Sequence, residues 1–297
     1  MRSLSIIRAT SLRCDPAVIE ALLAGPRIEP LLHPKPGAVT RCREHRDKNV
    51  LDFATAQTPL EIAAYTTCIE ASTKCRGSIA KGLAAYNRLH ALMTQRVNIN
   101  LGTLLLILPL SAAHGFTGVR KARKLAGLAA DVVSDCSGVE ETREYYKLLR
   151  RLSPSHLGSY KGPVESVWSE PKTPFPQVLD AVSWDHVHRE VLQGYPITLE
   201  MTNLMGSRES LEEGALYAML HTLAAHGDTL VARKWGWRAY KVLLNEARWG
   251  LRMEAKWGLK RVLEILDRMW RPRGWNPGSV LDMLAIAIGF YIVEKLV

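Results

Sequence analysis

The stretch GDTLVARK at residues 227–234 gives the clearest sign of how this chain folds, because a helix begins inside it. Gly227 interrupts an apolar helical pattern, and Asp228 is a residue type that accepts hydrogen bonds from the first free N–H groups of a helix. Arg233 and Lys234 follow within two turns. A helix N-terminus, a carboxylate suited to Mg²⁺ and two cations together predict a phosphate site. The alternative is an N-cap followed by two solvated bases.

Outside this stretch, apolar residues recur mainly at intervals of three and four, which is the helical period. The pattern covers residues 53–95, 101–113, 119–133, 139–152, 177–193, 208–226, 229–249, 253–269 and 278–296. No alternating or β-branched run is long enough to predict a strand. Gly and Pro cluster at residues 153–176, which predicts a long loop or hinge. We therefore predict an all-α fold, with residues 1–297 forming a single compact multi-helix domain whose nucleotide site is built from helix N-termini and loops.

A second candidate segment is PKPG at residues 34–37. The two prolines fix the backbone on both sides of Lys35, and Gly37 removes the side chain that would keep a ligand away from the main chain. The alternative is a rigid surface turn with solvated charges.

A third segment is NINLG at residues 98–102, ahead of an apolar run. Asn98 and Asn100 are N-cap residue types. Gly102 would be the second helical residue, where glycine costs stability unless something must come close. This segment therefore predicts a helix start that a phosphate can approach.

A fourth segment is NPGSVLD at residues 276–282. Asn276 is predicted to be an N-cap and Pro277 the first helical residue. Ser279 and Asp282 are three residues apart and share one helix face. The recurrence of helix starts with small or acidic residues supports the phosphate interpretation of all four segments.

In chain order, PKPG, NINLG, GDTLVARK and NPGSVLD resemble the triphosphoribosyl-dephospho-CoA synthase family, whose members make the precursor of the prosthetic group of citrate lyase and malonate decarboxylase. A fifth block, WDHVHRE at residues 184–190, is similar to the family segment in which an Asp precedes a Glu by five on a helix. The blocks extend over nearly the whole chain, which is most similar to the shorter branch of the family. The sequence departs from the family pattern at residues 44–47 and 280–281, and these departures concern the substrate more than the fold.

The resemblance implies a transferase reaction between ATP and 3′-dephospho-CoA. A ribose hydroxyl of the acceptor attacks the anomeric carbon of ATP, adenine leaves and the triphosphate is retained. Carboxylates stabilise the positive charge that develops on the ribose ring, and one can take the hydroxyl proton. The retained triphosphate carries about four negative charges and requires Mg²⁺ with cations or helix N-termini.

The resemblance also implies roles for individual residues. We expect Asp228 and Asp282 to hold Mg²⁺, and Asp185 or Glu190 to handle the proton, with Asp47 as a further acid. The alternative for Asp185 and Glu190 is a metal pair or an ion pair with Arg189. The residues expected to bind ATP are Lys35, Gly37, Asn98, Asn100, Gly102, Arg233, Lys234, Asn276 and Ser279.

Two substitutions follow from these roles. Asp228→Ala is expected to abolish ATP-dependent turnover without changing the helical circular-dichroism signal, and Arg233→Ala to weaken ATP binding. Two alternative functions remain beside the family reaction. One is an ATP-dependent ribosyl transfer to a different acceptor, and the other is nucleic-acid binding.

The nucleic-acid alternative comes from charge, which is +10 overall. Residues 233–273 hold 12 Lys or Arg against 4 Asp or Glu, and six of the eight tryptophans lie at residues 235–275. A basic stripe runs along a predicted helix at Arg248, Arg252, Lys256 and Lys260. It suits a solvated face, a nucleic-acid groove or a polyphosphate site. Two glycines, Gly250 and Gly258, are expected to weaken this helix.

The five cysteines, Cys14, Cys42, Cys68, Cys75 and Cys136, are odd in number and none forms a CxxC pair, so neither a disulfide framework nor a zinc site is predicted. The seven-residue spacing of Cys68 and Cys75 favours packing on one helix face. Residues 186 and 188 are both histidines, but residues two apart on a helix do not face each other.

The apolar run at residues 101–113 is too short to span a bilayer and suits a buried helix. The first 13 residues lack the apolar segment of a signal peptide. We expect a cytoplasmic enzyme that uses ATP and Mg²⁺, with neither a nucleic acid nor a membrane as partner.

Overall fold

The computed structural model describes residues 13–93, 98–152 and 162–296, and these ranges form thirteen α-helices and one short 3-10 turn, with no strand. The all-α prediction is therefore confirmed. The helices are α1 (Pro16–Ile28), α2 (Val50–Thr73), α3 (Ser78–Met93), α4 (Leu101–Thr117), α5 (Ala122–Cys136), α6 (Val139–Leu152), α7 (Phe175–Asp180), α8 (His186–Gln193), α9 (Pro196–Met205), α10 (Leu211–His226), α11 (Thr229–Trp257), α12 (Leu259–Trp270) and α13 (Gly278–Val293).

The two most apolar helices, α4 and α13, form the centre of the structure. In α4 every residue from Thr103 to Gly115 is buried, which confirms the prediction of a buried helix there. Helix α4 contacts α2, α3, α5 and α8, while α13 contacts α1, α9, α10 and α11, and the two also contact each other. The buried apolar side chains form one cluster that draws on all thirteen helices. The single-domain prediction for residues 1–297 stays a prediction.

Several predicted helices are divided in the structure. The pattern at residues 53–95 breaks where α2 ends at Thr73, and α3 begins at Ser78 after Gly77 with φ +83°. The pattern at 177–193 divides into α7 and α8. Helices α1 and α9 were missed, although the side chain of Asp15 caps α1 and Pro16 follows it at the first position, as sequence rules for helix starts require.

Helix α11 contains three of the four residues of the predicted basic stripe, and its backbone is interrupted by a glycine that was not expected to do so. Its backbone is non-helical at Gly236, with φ +83°, and it ends at Gly258, with φ +78°. The expected weak point at Gly258 is confirmed, whereas Gly250 lies inside the helix. A Cβ at Gly250 would come within 3.0 Å of the side chains of Leu266 and Val262, so this glycine permits close packing of α12.

The cysteine prediction was wrong. Four of the five cysteines form two disulfides, Cys14–Cys68 and Cys75–Cys136, and Cys42 is free and exposed. The partners are 54 and 61 residues apart in sequence. Sequence spacing could not indicate them, because only the tertiary fold brings the Cα atoms of the two pairs to 5.6 and 5.7 Å.

The predicted loop at residues 153–176 is only partly described, since residues 153–161 lie outside the described ranges. Residues 162–174 contain no helix and lie beside α6 and α7.

In the described ranges, no single helix is long and apolar enough to cross a membrane. The pair α4 and α5 passes the same test of length and composition when joined, across a bend of 99°.

Candidate functional site

A cavity of about 520 Å³ lies where α4, α8, α11 and α13 begin. This volume is in the range of roughly 300–1,000 Å³ typical of small-molecule sites. Five segments that are distant in sequence contribute to its wall, and each is one of the blocks singled out from the sequence. The predicted site residues that line it are Lys35, Asn98, Asn100, Gly102, Asp185, Arg233, Lys234, Asn276 and Asp282.

Asp282 lies in the cavity wall and binds the start of α4. Its Oδ1 accepts hydrogen bonds from the backbone N–H of Thr103 at 3.0 Å and from the Thr103 hydroxyl at 2.6 Å. Burial raises the pKa of Asp282 to about 6, although the Thr103 bonds and Lys48 oppose the shift. A Cβ at Gly102 would lie 2.1 Å from Asp282 Oδ2. The close approach expected at Gly102 is therefore made by a carboxylate of the protein itself.

Asp228 is fully buried and does not line the cavity. As predicted, it is the N-cap of α11, since Oδ1 accepts from the Val231 N–H at 3.0 Å. Its other oxygen accepts from the Val280 N–H in the first turn of α13 at 2.9 Å. Burial raises the pKa of Asp228 to about 7. With both oxygens held by backbone donors, Asp228 joins two helix N-termini and is not placed as a Mg²⁺ ligand.

Glu190 has a similar structural position. It is fully buried outside the cavity, and its two oxygens accept from the N–H groups of Ile197 at 2.9 Å and Thr198 at 2.8 Å, at the start of α9. Burial raises its pKa. The structure therefore places Glu190 away from any reacting group and separates it from Asp185. Among the described residues, Arg189 forms no ion pair with Asp185 or Glu190, and these two acids do not belong to a group placed to hold a metal ion.

Three other predicted residues also lie outside the cavity. Asp47 is exposed and pairs with His45 at 2.6 Å. The buried Ser279 hydroxyl accepts from Thr229 at 3.1 Å. Gly37 has φ +70°, and its N–H donates to Asp267 at 2.8 Å. Because a Cβ at Gly37 would lie 1.8 Å from a backbone oxygen of the chain, this glycine serves packing rather than ligand approach.

The N-cap prediction at the fourth segment was wrong by one position. Pro277 is the N-cap of α13, and Gly278 is its first residue. Asn276 nevertheless lines the cavity, and its buried Oδ1 has no hydrogen-bond partner. Such a buried, unsatisfied oxygen is free to bind a ligand donor or a cation.

Two lysines line the cavity beside Asp282. Lys35 is buried and forms an ion pair with Glu29, and its Nζ also donates to the Glu29 carbonyl at 2.7 Å. Burial raises the pKa of Glu29 and lowers that of Lys35, and the ion pair opposes both shifts. Lys48 donates to the carbonyl of Asn98 at 2.9 Å. Lys48 and Glu29 were not found in the sequence analysis, because only the cavity brings them together with the blocks.

Asp185 is the one predicted acid besides Asp282 that reaches the cavity. It caps α8 through the Val187 N–H at 3.1 Å and accepts from His188 Nδ1 at 3.0 Å. Arg233 Nε lies 3.5 Å from its second oxygen. Burial alone would raise the pKa of Asp185, but the His188 hydrogen bond and the charges of His188 and Arg233 outweigh it and hold the pKa well below its ordinary value.

Another part of the cavity wall is largely apolar. It is formed by α6, residues 164–167, α7 and the first turn of α8. Its side chains include Tyr145, Tyr146, Leu149, Val164, Val167, Val178, Val182 and Val187. We call this part the apolar side, although Glu165 and Ser166 also line it, and we call the Lys, Arg and Asp residues described above the charged side.

Exposed aromatic side chains lie at the edge of the cavity. Trp184 lines it and is 46% exposed, and Trp237 is 54% exposed, with ring centroids 5.8 Å apart. The break at Gly236 separates Trp237 from the first turns of α11. Together, Trp184 and Trp237 form an aromatic edge.

The predicted basic stripe lies elsewhere. Arg248, Arg252, Lys256 and Lys260 are exposed and none lines the cavity, and the break at Gly258 separates Lys260 from the other three. Among the described residues, no group of three or more His, Cys, Asp or Glu side chains is placed to hold a metal ion.

Taken together, the helical fold and a cavity with charged and apolar sides define an α-helical protein that binds a phosphorylated small molecule. The chain belongs to the CitG family, ATP:dephospho-CoA triphosphoribosyl transferase, whose sequence model matches residues 17–297. It is thus a transferase, and the family name gives ATP and dephospho-CoA as its substrates. The family match does not favour the nucleic-acid alternative.

A solved structure supports the fold. A protein from Archaeoglobus fulgidus, provisionally assigned as a triphosphoribosyl-dephospho-CoA synthase, superposes with a TM-score of 0.56 at 16% sequence identity. The match covers 80% of this chain and 98% of that chain. A search of curated protein sequences gave no match.

Proposed function

We propose that this cavity transfers the 5-triphosphoribosyl group of ATP to a ribose hydroxyl of 3′-dephospho-CoA and releases adenine. The observation that carries the proposal is that all five sequence blocks meet at one cavity. Residues of all five sequence blocks, from Lys35 to Asp282, line one cavity although they are spread over most of the chain. A chain that merely kept the fold would have no need to bring these particular segments to one wall.

The triphosphate would lie on the charged side. Arg233 and Lys234 follow the start of α11, and Lys48 donates to the Asn98 carbonyl just ahead of α4, where burial lowers its pKa and the charge of Lys234 lowers it further. Lys35 already forms an ion pair with Glu29. Its charge is therefore largely neutralised, and Lys35 would form part of the cavity wall rather than act as a main phosphate ligand. Helix N-termini add favourable partial charge for an anion.

Charge balance supports Mg²⁺ as a companion of ATP. The cavity wall holds four cations, Lys35, Lys48, Arg233 and Lys234, against four carboxylates, Glu29, Glu165, Asp185 and Asp282. These formal charges cancel, so the wall alone does not neutralise a triphosphate of about four negative charges. A divalent cation that travels with the phosphates supplies the missing charge.

The residues present fit such an ion. Asp282 offers a carboxylate at the cavity wall, and Asn276 offers a buried amide oxygen without a partner. Mg²⁺ prefers oxygen ligands and is commonly held by one or two carboxylates together with substrate phosphates. Asp282 and Asn276 would hold the ion, which would neutralise the triphosphate and fix its position. Asp228 takes no part in this arrangement.

Asp185 would act near the ribose. Its pKa is held well below its ordinary value, so it carries a negative charge at neutral pH. A carboxylate close to the ring stabilises the positive charge that develops as the bond to adenine breaks. Arg233 lies beside Asp185 and would connect the ribose and phosphate parts of the site.

The acceptor would enter over the aromatic edge. The cavity is the size of a site for one nucleotide, while the reaction requires two large substrates. Trp184 and Trp237 offer exposed faces beside it, and base–aromatic stacking contributes roughly 1–3 kcal/mol. The apolar side offers a surface for the uncharged arm of dephospho-CoA.

The experiment is to incubate the purified protein with ATP and Mg²⁺, with and without 3′-dephospho-CoA, and to follow adenine and adduct by liquid chromatography and mass spectrometry. Acceptor-dependent adenine release with a triphosphoribosyl adduct supports the proposal. Adenine release without that adduct supports transfer to another acceptor. No release from either mixture contradicts the proposal.

A further inference from the structure

Three cavity residues form a hydrogen-bonded chain that the sequence patterns did not suggest. Asp185 Oδ1 lies 3.0 Å from His188 Nδ1, and His188 Nε2 lies 3.1 Å from the hydroxyl of Tyr145. All three side chains are buried and all three line the cavity. The chain connects the first turn of α8 with α6, which lies on the apolar side.

When His188 is neutral, the hydrogen-bond partners determine the proton positions in this chain. The Asp185 carboxylate is ionised and can only accept, so His188 carries its proton on Nδ1. His188 Nε2 is then the acceptor, and the Tyr145 hydroxyl donates to it. Burial raises the pKa of Tyr145, so the phenol keeps its proton at neutral pH.

Asp185 is poorly placed to take a substrate proton itself. Its Oδ1 already accepts from Val187 and His188, and its Oδ2 faces Arg233 at 3.5 Å. Oδ2 has no hydrogen-bond partner, but the pKa of this carboxylate is held well below its ordinary value, which makes Asp185 a weak base. Tyr145, at the other end of the chain, has a hydroxyl that can donate and accept at the same time.

We propose that Tyr145 takes the proton of the attacking acceptor hydroxyl while passing its own proton to His188, with Asp185 holding His188 in the required orientation. The inference rests on the proposed function and assigns its proton transfer. Neither His188 nor Tyr145 was among the residues expected to carry the reaction.

The atoms and electrons of the step balance. The acceptor O–H bond breaks as its oxygen forms a bond to the anomeric carbon of ATP. The bond from that carbon to adenine breaks, and adenine keeps the electron pair and takes up a proton from water. The acceptor proton reaches Tyr145, the Tyr145 proton reaches His188, and the resulting imidazolium lies beside Asp185 until it releases a proton to water.

The ring of Tyr145 is held in place for this task. It packs edge-on against Phe175 of α7, with ring centroids 5.6 Å apart. Within the described part of the chain, its hydroxyl is hydrogen-bonded to His188 alone. A fixed donor and acceptor at a cavity wall is what proton transfer requires, since the transfer is efficient only within hydrogen-bond reach.

The neighbouring histidine gives a matched control. His186 is also buried and on α8, but it does not line the cavity, and its ring packs against His226 with centroids 6.3 Å apart. Tyr195 is the matching tyrosine, because its buried hydroxyl donates to the Leu106 carbonyl outside the cavity. Substitutions at His186 and Tyr195 remove the same groups without touching the chain.

The experiment compares His188→Ala with His186→Ala, and Tyr145→Phe with Tyr195→Phe, in the transfer assay. His188→Ala and Tyr145→Phe are expected to lower kcat by roughly 10²–10⁴-fold, the usual contribution of positioned acid–base groups. Protection of the protein against heat by ATP should stay unchanged in both. Added imidazole should restore part of the activity of His188→Ala, because it can occupy the vacated space and accept from Tyr145. It should have no effect on His186→Ala.

The outcomes separate this inference from the proposed function. A wild-type protein that releases no adenine contradicts the proposed function. A wild-type protein that is active, with His188→Ala within a few-fold of it or unresponsive to imidazole, overturns the proton chain and leaves the function standing. If His188→Ala does not fold, His188→Gln replaces it. The comparison of Tyr145→Phe with Tyr195→Phe then decides, because equal kcat values would contradict the proposed proton transfer through Tyr145.

Discussion

Asp282 on α13 holds the start of α4 by accepting from both the N–H and the hydroxyl of Thr103, a residue 179 positions earlier in the chain. The same carboxylate forms part of the cavity wall. One side chain therefore joins the two central helices and shapes the site. Stability and activity are coupled at this contact.

The first prediction concerns the glycine beneath this carboxylate. Gly102→Ala places a Cβ 2.1 Å from Asp282 Oδ2 and should displace it, which destabilises the fold by roughly 1–3 kcal/mol and abolishes transfer. Gly127→Ala is the control, since nothing lies within 4 Å of its Cβ and it is an exposed residue of α5. Thermal unfolding should show this variant to be about 0.5–1 kcal/mol more stable. Equal effects of the two substitutions would contradict the assigned contact.

The second prediction replaces an expectation drawn from the sequence. Asp228→Ala should lower the free energy of unfolding by roughly 2–4 kcal/mol, because the starts of α11 and α13 both lose a buried acceptor. Asp228→Asn retains one acceptor oxygen, so its free energy of unfolding should fall by less than that of Asp228→Ala. Chemical denaturation measures both. A stable but inactive Asp228→Ala protein would instead support the original assignment of Asp228 to the metal.

The third prediction separates the two basic regions. Arg233→Ala should raise the KM for ATP about tenfold, the loss expected for a hydrogen bond from a charged group to phosphate. Arg252→Ala removes the same charge from the exposed stripe and should leave the KM unchanged. Initial-rate kinetics at saturating acceptor provide the test. Matching KM values for the two variants would show that Arg233 does not bind ATP and would support its interpretation as a solvated base.

The fourth prediction follows from the pKa of Asp282, which is about 6 in the folded protein and 3.8 as the ordinary value. A raised pKa means that the folded state favours the neutral carboxyl. This stabilisation is present below about pH 4 and is lost as the pH rises through about 6. The melting temperature of the wild type relative to Asp282→Asn should therefore fall between pH 4.5 and pH 8. A difference that is constant with pH would show that Asp282 has an ordinary pKa.

Mg²⁺ gives this pH dependence a second readout. Because the neutral carboxyl cannot bind a cation, Mg²⁺ should be required at higher concentration below pH 6 in the wild type. In Asp282→Asn the requirement should be raised at every pH. Titration of Mg²⁺ in the transfer assay at pH 5.5 and pH 8 distinguishes the two patterns.

The fifth prediction tests the aromatic edge. Trp237→Ala should raise the KM for 3′-dephospho-CoA by about tenfold with little effect on ATP, because one stacking surface of roughly 1–3 kcal/mol is lost. Trp168→Ala is the control, since Trp168 is 60% exposed and does not line the cavity. Kinetics with each substrate varied in turn give the answer. A Trp237→Ala protein with ordinary acceptor KM would place the acceptor elsewhere.

The helix patterns predicted the fold class and most of the helices, because the buried faces of α5, α6 and α12 repeat with a period that a sequence displays. Breaks were harder to find. Lys74 and Asp185 end one helix or start another inside an unbroken apolar pattern, and only the packing of the neighbouring helices selects those positions.

The sequence predicted which segments form the cavity more accurately than which residues of those segments line it. Acids such as Asp228 and Glu190 look alike in sequence to Asp185, yet the first two cap other helices and only the third reaches the cavity. A carboxylate near a helix start can face a ligand or a neighbouring helix, and the choice depends on contacts across the fold. His188 was set aside because it was considered only as a partner of His186.

The central position of α13 also has a consequence for synthesis. A chain emerges from the ribosome N-terminus first, and α13 is the last helix to appear. Until residue 278 has left the exit tunnel, α1 lacks its main neighbour, α4 lacks one of its partners, and the wall formed by Asp282 does not exist. The nascent protein therefore lacks a complete site, and a transcript cut short before α13 yields a polypeptide in which the surfaces of α1 and α4 that pack on α13 are open to chaperones and proteases.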